Sequence, residues 1–219
     1  MWEINDNLNI ERSTVQDSPI FVIDNFYKNP EKIARFLFSR NAPLWKSEEK
    51  GTRNGRDFED KRIALDISTP VDKFLMDLCG QQVVNNTPMV ITNQHRFKRN
   101  NYNTKYRSHY WWAHRDIGYN AIIYFNKDDG ENGTNLYDPD TLNVFEIAES
   151  VEPWLPKMYA KVIHTFESKF NRLVFFDGKK FPHGMAINND RYHCDDFSQA
   201  HWTTYRSNQV YFYEPKCGN

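Results

Sequence analysis

The chain has 219 residues, with 28 basic and 29 acidic side chains and a formal net charge of −1, which excludes a global electrostatic drive toward nucleic acid or an anionic membrane. No stretch is apolar for long enough to cross a bilayer as a helix, so no membrane partner is expected. The length suits one β-rich domain with added helices over residues 1–219, and no repeat, low-complexity linker or shift in composition marks a boundary.

From the start, MWEINDNLNIERS lacks a basic stretch followed by an apolar run, the pattern of a secretory leader. Cys79, Cys194 and Cys217 form neither a CxxC pair nor an even disulfide framework. Both features lead to the expectation of a cytoplasmic protein with reduced thiols, in the host cytoplasm if the chain is viral. Asn29-Pro30 followed by Ile33, Phe36 and Leu37 predicts a capped amphipathic helix, as does Thr69-Pro70 followed by Val71, Phe74, Leu75 and Leu78. Each is expected to pack on the outside of a sheet. Between them, LWKSEEKGTRNGRDFEDKR is polar and contains two glycines, so it reads as a solvated loop, with a lid over a site as the sharper alternative. The next segment, NQHRFKRNNYNTKYR, mixes Arg96, Lys98, Arg99, Lys105 and Arg107 with Phe97, Tyr102 and Tyr106. That mixture fits a nucleic-acid strip, the attraction of an anionic small molecule, or the solvent face of a strand, and near-neutral overall charge disfavours the first.

The segment WWAHRDIGYN carries the chemistry. On an extended strand residues i and i+2 point the same way, so His114 and Asp116 present an imidazole and a carboxylate to one point. His183, in FDGKKFPHGM, supplies a distant third ligand. Two histidines and one carboxylate on one face of a metal leave the opposite positions open, the arrangement used by non-haem Fe(II) oxygenases. The pair precedes a predicted strand, GYNAIIYFN, followed by a Gly and Asn cluster in KDDGENGTNLYD that reads as a hairpin loop. His183 follows the apolar run NRLVFFDG, so each ligand is expected at the end of a β segment. Trp111 and Trp112 either wall a pocket or simply pack. His95, His109, His164, His193 and His201 lack partners at ligand spacing and read as surface or structurally bonded histidines.

Near the C-terminus, alternation in TTYRSNQVYFYE puts Thr204, Arg206, Asn208, Val210 and Phe212 on one face of a strand and Tyr205, Ser207, Gln209 and Tyr211 on the other. If Val210 and Phe212 face the core, Arg206 enters it too. A buried guanidinium needs an anion, and its planar fork suits a carboxylate, either a ligand's or a protein acid's.

Three blocks, WWAHRDIGYNAIIYFN with GTNLYD, NRLVFFDGKKFPHGM and YRSNQVYFYE, resemble in order and rough spacing the Fe(II)/2-oxoglutarate-dependent dioxygenases, most closely their prolyl-hydroxylase-like branch with its bacterial and phage-encoded members. The opening SPIFVIDNFYKNPEKIARFLFSR is similar to the family's entry strand and helix. The resemblance implies a mainly β fold with flanking helices, a double-stranded β-helix or cupin-like jelly roll. It implies Fe(II) held by His114, Asp116 and His183, 2-oxoglutarate as co-substrate and O2 as oxidant, with no catalytic residue beyond the ligands. Arg206 would anchor the distal carboxylate of 2-oxoglutarate, with Asn120 and Tyr124, which share parity with Asp116, as further contacts unless a bend after Asp116 breaks the register. The gap from His183 to Arg206 is long, and Ser207 directly follows the arginine, which leaves Arg191 and Lys180 as substitutes. Retention of Asp116 favours hydroxylation over halogenation. The substrate is expected to be a small molecule or peptide. A zinc-dependent hydrolase using the same triad, or a non-catalytic cupin-like binding module, would be built on the same residues.

Overall fold

The computed structural model describes residues 1–39, 44–52, 57–65, 69–78, 83–85, 90–98, 109–111, 113–127, 130–140, 154–156, 160–195 and 201–215. The chain opens with the hairpin β1 (Asn9–Val15) and β2 (Ser18–Asp24), whose turn places Gln16 and Asp17 at positive φ. Helix α1 (Pro30–Phe38) follows, then β3 (Leu44–Thr52), β4 (Asp57–Leu65), α2 (Thr69–Leu78), β5 (Val83–Asn85) and β6 (Val90–Lys98). The second half is β7 (His109–Trp111), β8 (Tyr119–Tyr124), β9 (Thr134–Tyr137), β10 (Trp154–Pro156), β11 (Val162–Phe166), β12 (Leu173–Asp177), β13 (His183–Met185), β14 (His193–Cys194) and β15 (Arg206–Pro215).

Strand order makes this a double-stranded β-helix. The large sheet runs β1-β2-β12-β8-β15-β6-β4-β3, with β5 and β14 attached, and a second sheet runs β11-β9-β13. An antiparallel bridge between His114 and His183 extends the second sheet beyond β13. In chain order β6, the His114 bridge, β8, β9, β11, β12, β13 and β15 therefore fall in the large, small, large, small, small, large, small and large sheets. Consecutive strands mostly cross between layers instead of pairing with each other, which is how a jelly roll is wound.

Alternation along the strands builds two cores. Ile122, Tyr124, Val174, Phe176 and Val210 of the large sheet point inward and pack with Leu136 and Phe166 of the small one. Their neighbours Ala121, Ile123, Leu173, Phe175, Tyr211 and Tyr213 point outward, where Ile33, Ala34 and Leu37 of α1 and Val71 and Leu75 of α2 cover them. Both helices thus sit where their apolar periodicity predicts. Pro30 starts α1 without help from Asn29, whose side chain makes no capping hydrogen bond. Fixed proline φ and the missing N–H already suit a first helical residue.

Two loop readings are corrected. Of the polar segment expected to be a loop or lid, the described residues 44–52 and 57–62 lie in β3 and β4, an antiparallel pair that extends the large sheet from β6, with its register interrupted between Leu44 and Glu49. Dense charge is compatible with an edge strand, where it opposes further pairing. The KDDGENGTN connection is not a hairpin loop, because both edges of β8 are taken by β12 and β15 and the chain must cross to the small sheet. Among the described residues no helix is long and apolar enough to cross a membrane.

Candidate metal centre

The His114 bridge to His183 brings the two halves of the site together. Backbone hydrogen bonds run both ways between them, at 2.9 and 2.8 Å. His114 and Asp116, expected on a strand, lie outside the named strands, and the bridge alone holds His114 against the start of β13, with the two imidazole ring centroids 4.5 Å apart. Asp116 is placed by its own N–H, which donates to the carbonyl of Gly178 at 3.0 Å. One ligand atom from each of His114, Asp116 and His183 lies within 4.8 Å of the others, the group of His, Cys, Asp or Glu with this property among the described residues.

Nδ1 of His183 lies 3.0 Å from the carbonyl of Phe181, which only accepts, so Nδ1 carries a proton and Nε2 is the ring nitrogen that faces the site. The ring is buried and meets Phe176 edge-on at 5.0 Å. Burial would raise the Asp116 carboxyl, but the hydrogen bond and charge of His183, the charge of His114 and the Asn120 amide bring it down to about 2. It is ionised at neutral pH. His183 Nε2 is 3.1 Å from Asp116 Oδ2, and His114 Nε2 is 3.9 Å from Oδ1. The His114 side chain is 46 % exposed and opens the site to solvent, whereas that of His183 is 4 % exposed. Two imidazoles and a carboxylate, converging with one side open, are a donor set that fits a divalent first-row metal that must also bind exchangeable ligands.

The other predicted residues divide. Asn120 keeps company with Asp116 despite the intervening bend: its Nδ2 donates to Asp116 Oδ2 and lies 2.9 Å from His183 Nε2. Tyr124 is wholly buried on the inner face and donates to Thr134 Oγ1 at 2.7 Å. Burial pushes its phenol up to about 12 against the opposing charge of Arg206, so it remains neutral. Arg206 enters the interior as its parity with Val210 requires, at 1 % exposure. Its Nε donates to the Asn132 carbonyl at 2.8 Å and its Nη2 to the Gly133 carbonyl at 2.5 Å. Of the substitutes, Lys180 is engaged by the β1–β2 hairpin, donating to the Gln16 carbonyl and to Ser18 Oγ, and Arg191 is exposed with its guanidinium 5.8 Å from the Tyr192 ring.

The basic strip is corrected where it is described. Arg96 and Phe97 are buried, with Arg96 4.8 Å over the Tyr205 ring and Phe97 packed with Met185 and Tyr192, so neither faces a polyanion. Residues 99–108 and Trp112 lie outside the described residues, as do Cys79 and Cys217; Cys194 is a free thiol. His164 packs against Phe166, His193 against Phe97, and His201 caps a 3-10 turn at Trp202–Thr204. Sequence reasoning missed Gly178 and the Asn132 and Gly133 carbonyls. Asp177-Gly178 reads only as a turn, and carbonyls carry no signature in side-chain patterns.

No family model matches the chain, and no curated protein matches it in sequence. Among solved structures, a prolyl 4-hydroxylase from Phytophthora capsici aligns with a TM-score of 0.46 and 10% identity over 90% of this chain. The alignment takes in 59% of the hydroxylase, so this chain spans about three-fifths of that length.

Proposed function

We propose that the chain is a single-domain Fe(II)- and 2-oxoglutarate-dependent dioxygenase that hydroxylates a small-molecule or peptide substrate. The convergence of His114, Asp116 and His183 at the junction of the two sheets carries this reading. His114, Asp116 and His183 would hold the iron, which when bound supplies O2 activation coupled to decarboxylation of the co-substrate. One oxygen atom goes to succinate, with release of CO2, and the other replaces C–H by C–OH in the substrate.

The protein's own part is orientation and electrostatics. The Phe181 carbonyl holds a proton on Nδ1 of His183 and orients the ring, so that Nε2 is the nitrogen directed at the metal position. Ionised Asp116 contributes the negative charge that favours a divalent cation. Arg206 supplies a buried positive charge beside Tyr124 and Thr134, a set able to receive the distal carboxylate of 2-oxoglutarate through guanidinium and hydroxyl donors. The exposed edge at His114 is the side from which a substrate reaches the metal.

The test is anaerobic loading with Fe(II) and 2-oxoglutarate, followed by O2 and a panel of metabolites, peptides and oligonucleotides, with succinate and product mass as readouts. Succinate release that needs Fe(II), and a gain of one oxygen atom in one panel member, are expected. Zinc retained through anaerobic purification, with hydrolysis in place of succinate release, would replace this reading by a zinc hydrolase.

A further inference from the structure

Strand β15 carries its alternation past the metal centre. Val210 and Phe212 face the inner core and Tyr211 and Tyr213 the helix-covered outer one, and pairing with β8 and then β5 continues without a shift through Pro215. Glu214 therefore projects from the inner face, one step beyond Phe212, which stands opposite Asn120 in the register. Asn120 in turn touches Asp116 and His183. Two residues of a strand span about 7 Å, so Glu214 lies about that far along β15 from the row that meets the metal ligands. It is partly buried and has no hydrogen-bond or ionic partner among the described residues. By contrast, Asp116 is engaged by His183 and Asn120, Arg206 by the Asn132 and Gly133 carbonyls, and Lys180 by Gln16 and Ser18. No side chain covers Glu214 from the β8 side, because its neighbour there is Gly118, where a Cβ would stand 3.1 Å from Glu214 Cα and 2.1 Å from the Tyr213 carbonyl oxygen. Glu214 belongs to the large sheet and His114 to the bridge that extends the small one, so the two bound the metal end of the barrel from opposite layers.

We propose that Glu214 is a substrate-binding residue and that the substrate it selects is cationic, an aliphatic chain ending in a primary amine or a guanidinium. A partly desolvated carboxylate without a partner is satisfied by a charged N–H donor, and its place on a strand instead of a loop gives that contact a fixed direction. Phe212, also partly buried, offers an apolar surface between Glu214 and the metal position, along which the methylene chain lies. The carbon to be hydroxylated is then several bonds from the nitrogen. A carboxylate or phosphate would instead meet Glu214 and ionised Asp116 together and be repelled. Free amines and the basic residues of a peptide share this chemistry. The inference rests on the oxygenase reading of the triad and adds to it the class of substrate.

The experiment is calorimetric titration of the full-length protein loaded with Co(II) and 2-oxoglutarate, so that binding is read without turnover. The probes are cadaverine and the terminally blocked tripeptides Ala-Lys-Ala and Ala-Arg-Ala, against Ala-norleucine-Ala and Ala-Glu-Ala as neutral and acidic controls. At least one cationic probe should bind wild type about tenfold or more tighter than either control, and its rank against the other cations tells a free amine from a peptide substrate. Glu214→Gln, which keeps the shape without the charge, should lose roughly 10- to 100-fold in affinity for that cation. Glu214→Lys should reverse the preference toward Ala-Glu-Ala. Affinities for Co(II) and 2-oxoglutarate should stay within about threefold of wild type in both variants, because Glu214 ligates neither. Wild type that binds no cation, or cations and controls alike, overturns the proposal, as does unchanged cation affinity in Glu214→Gln; with Co(II) and 2-oxoglutarate still bound, the oxygenase reading stands. Wild-type protein that takes up no Co(II) or no 2-oxoglutarate overturns that reading and this inference with it.

Discussion

Arg206→Ala separates two roles that one buried guanidinium is expected to play, and each has its own magnitude. The structural role is read from its partners. The Gly133 carbonyl keeps the Ala186 N–H at 3.1 Å when the arginine is removed, whereas the Asn132 carbonyl loses the Nε donor at 2.8 Å. Loss of two bonds from a charged donor and the void of a fully buried side chain together cost about 2–4 kcal/mol. The ligand role is larger in affinity than in stability. A distal carboxylate bound without its cation loses about 2–5 kcal/mol by analogy with truncated buried charge pairs. That is roughly a thirtyfold to several-thousandfold rise in the Kd for 2-oxoglutarate. Urea denaturation gives the first quantity. Anaerobic titration of 2-oxoglutarate into the Fe(II)-loaded protein, followed by the metal-to-ligand charge-transfer band, gives the second. Fe(II) affinity should stay within about threefold of wild type, since the guanidinium is no ligand and a threefold change is only about 0.7 kcal/mol. A folded Arg206→Ala protein with unchanged 2-oxoglutarate affinity would refute the anchor role and leave a structural one, to which the tie to residues 132 and 133 belongs.

Other substitutions test the site and its frame. His114→Ala, Asp116→Ala and His183→Ala should each abolish Fe(II)-dependent succinate formation. Loss of the buried His183 should also cost about 1–3 kcal/mol of stability, against under about 1 kcal/mol for the more exposed His114, as read by urea midpoints; near wild-type turnover in His183→Ala would move the distal ligand elsewhere. Gly118→Ala should destabilise by about 3 kcal/mol or more, because a Cβ there would stand 2.1 Å from the Tyr213 carbonyl oxygen, a backbone atom that cannot swing aside; an unchanged denaturation midpoint would contradict this close packing of strands. For acid stability the relevant group is Asp24. Burial raises its carboxyl, yet Arg172 and Lys169, which donate to it at 2.7, 3.1 and 2.8 Å, bring the net value below the ordinary one. A carboxyl depressed in the folded state stabilises it above the unfolded value of about 4 and loses that contribution as pH falls through the folded value. Wild type should therefore exceed Asp24→Asn in stability at pH 7, with the gap shrinking below about pH 4; a gap independent of pH would remove Asp24 from the acid response.

The helices and the triad were legible for different reasons. Apolar spacing at Ile33, Phe36 and Leu37, and at Val71, Phe74, Leu75 and Leu78, has one solution, a stripe against a sheet, so periodicity located both α1 and α2. The parity of Arg206 with Val210 likewise implied its burial, because alternation in a strand is local and does not depend on which strands are its neighbours. Charged LWKSEEKGTRNGRDFEDKR misled because dense charge is a composition that loops share with strands at the margin of a sheet, so composition alone does not separate the two. The glycine-rich connection after β8 misled because a turn signal says that the chain reverses, without saying which layer receives it.

By itself the sequence determined which side chains share a face and which residue types are able to hold a metal: His114 with Asp116, and a distant His183. Only the tertiary structure decided that these meet, through a two-way backbone bridge between residues far apart in the chain. It alone placed the Asn120 amide on Asp116 and His183, the Gly178 backbone beneath that amide, and the Asn132 and Gly133 carbonyls around Arg206. The physical reason is that alternation and periodicity are set by a residue's own backbone torsions, whereas a close approach between strands is set by the register of two sheets, which no local stretch of chain encodes.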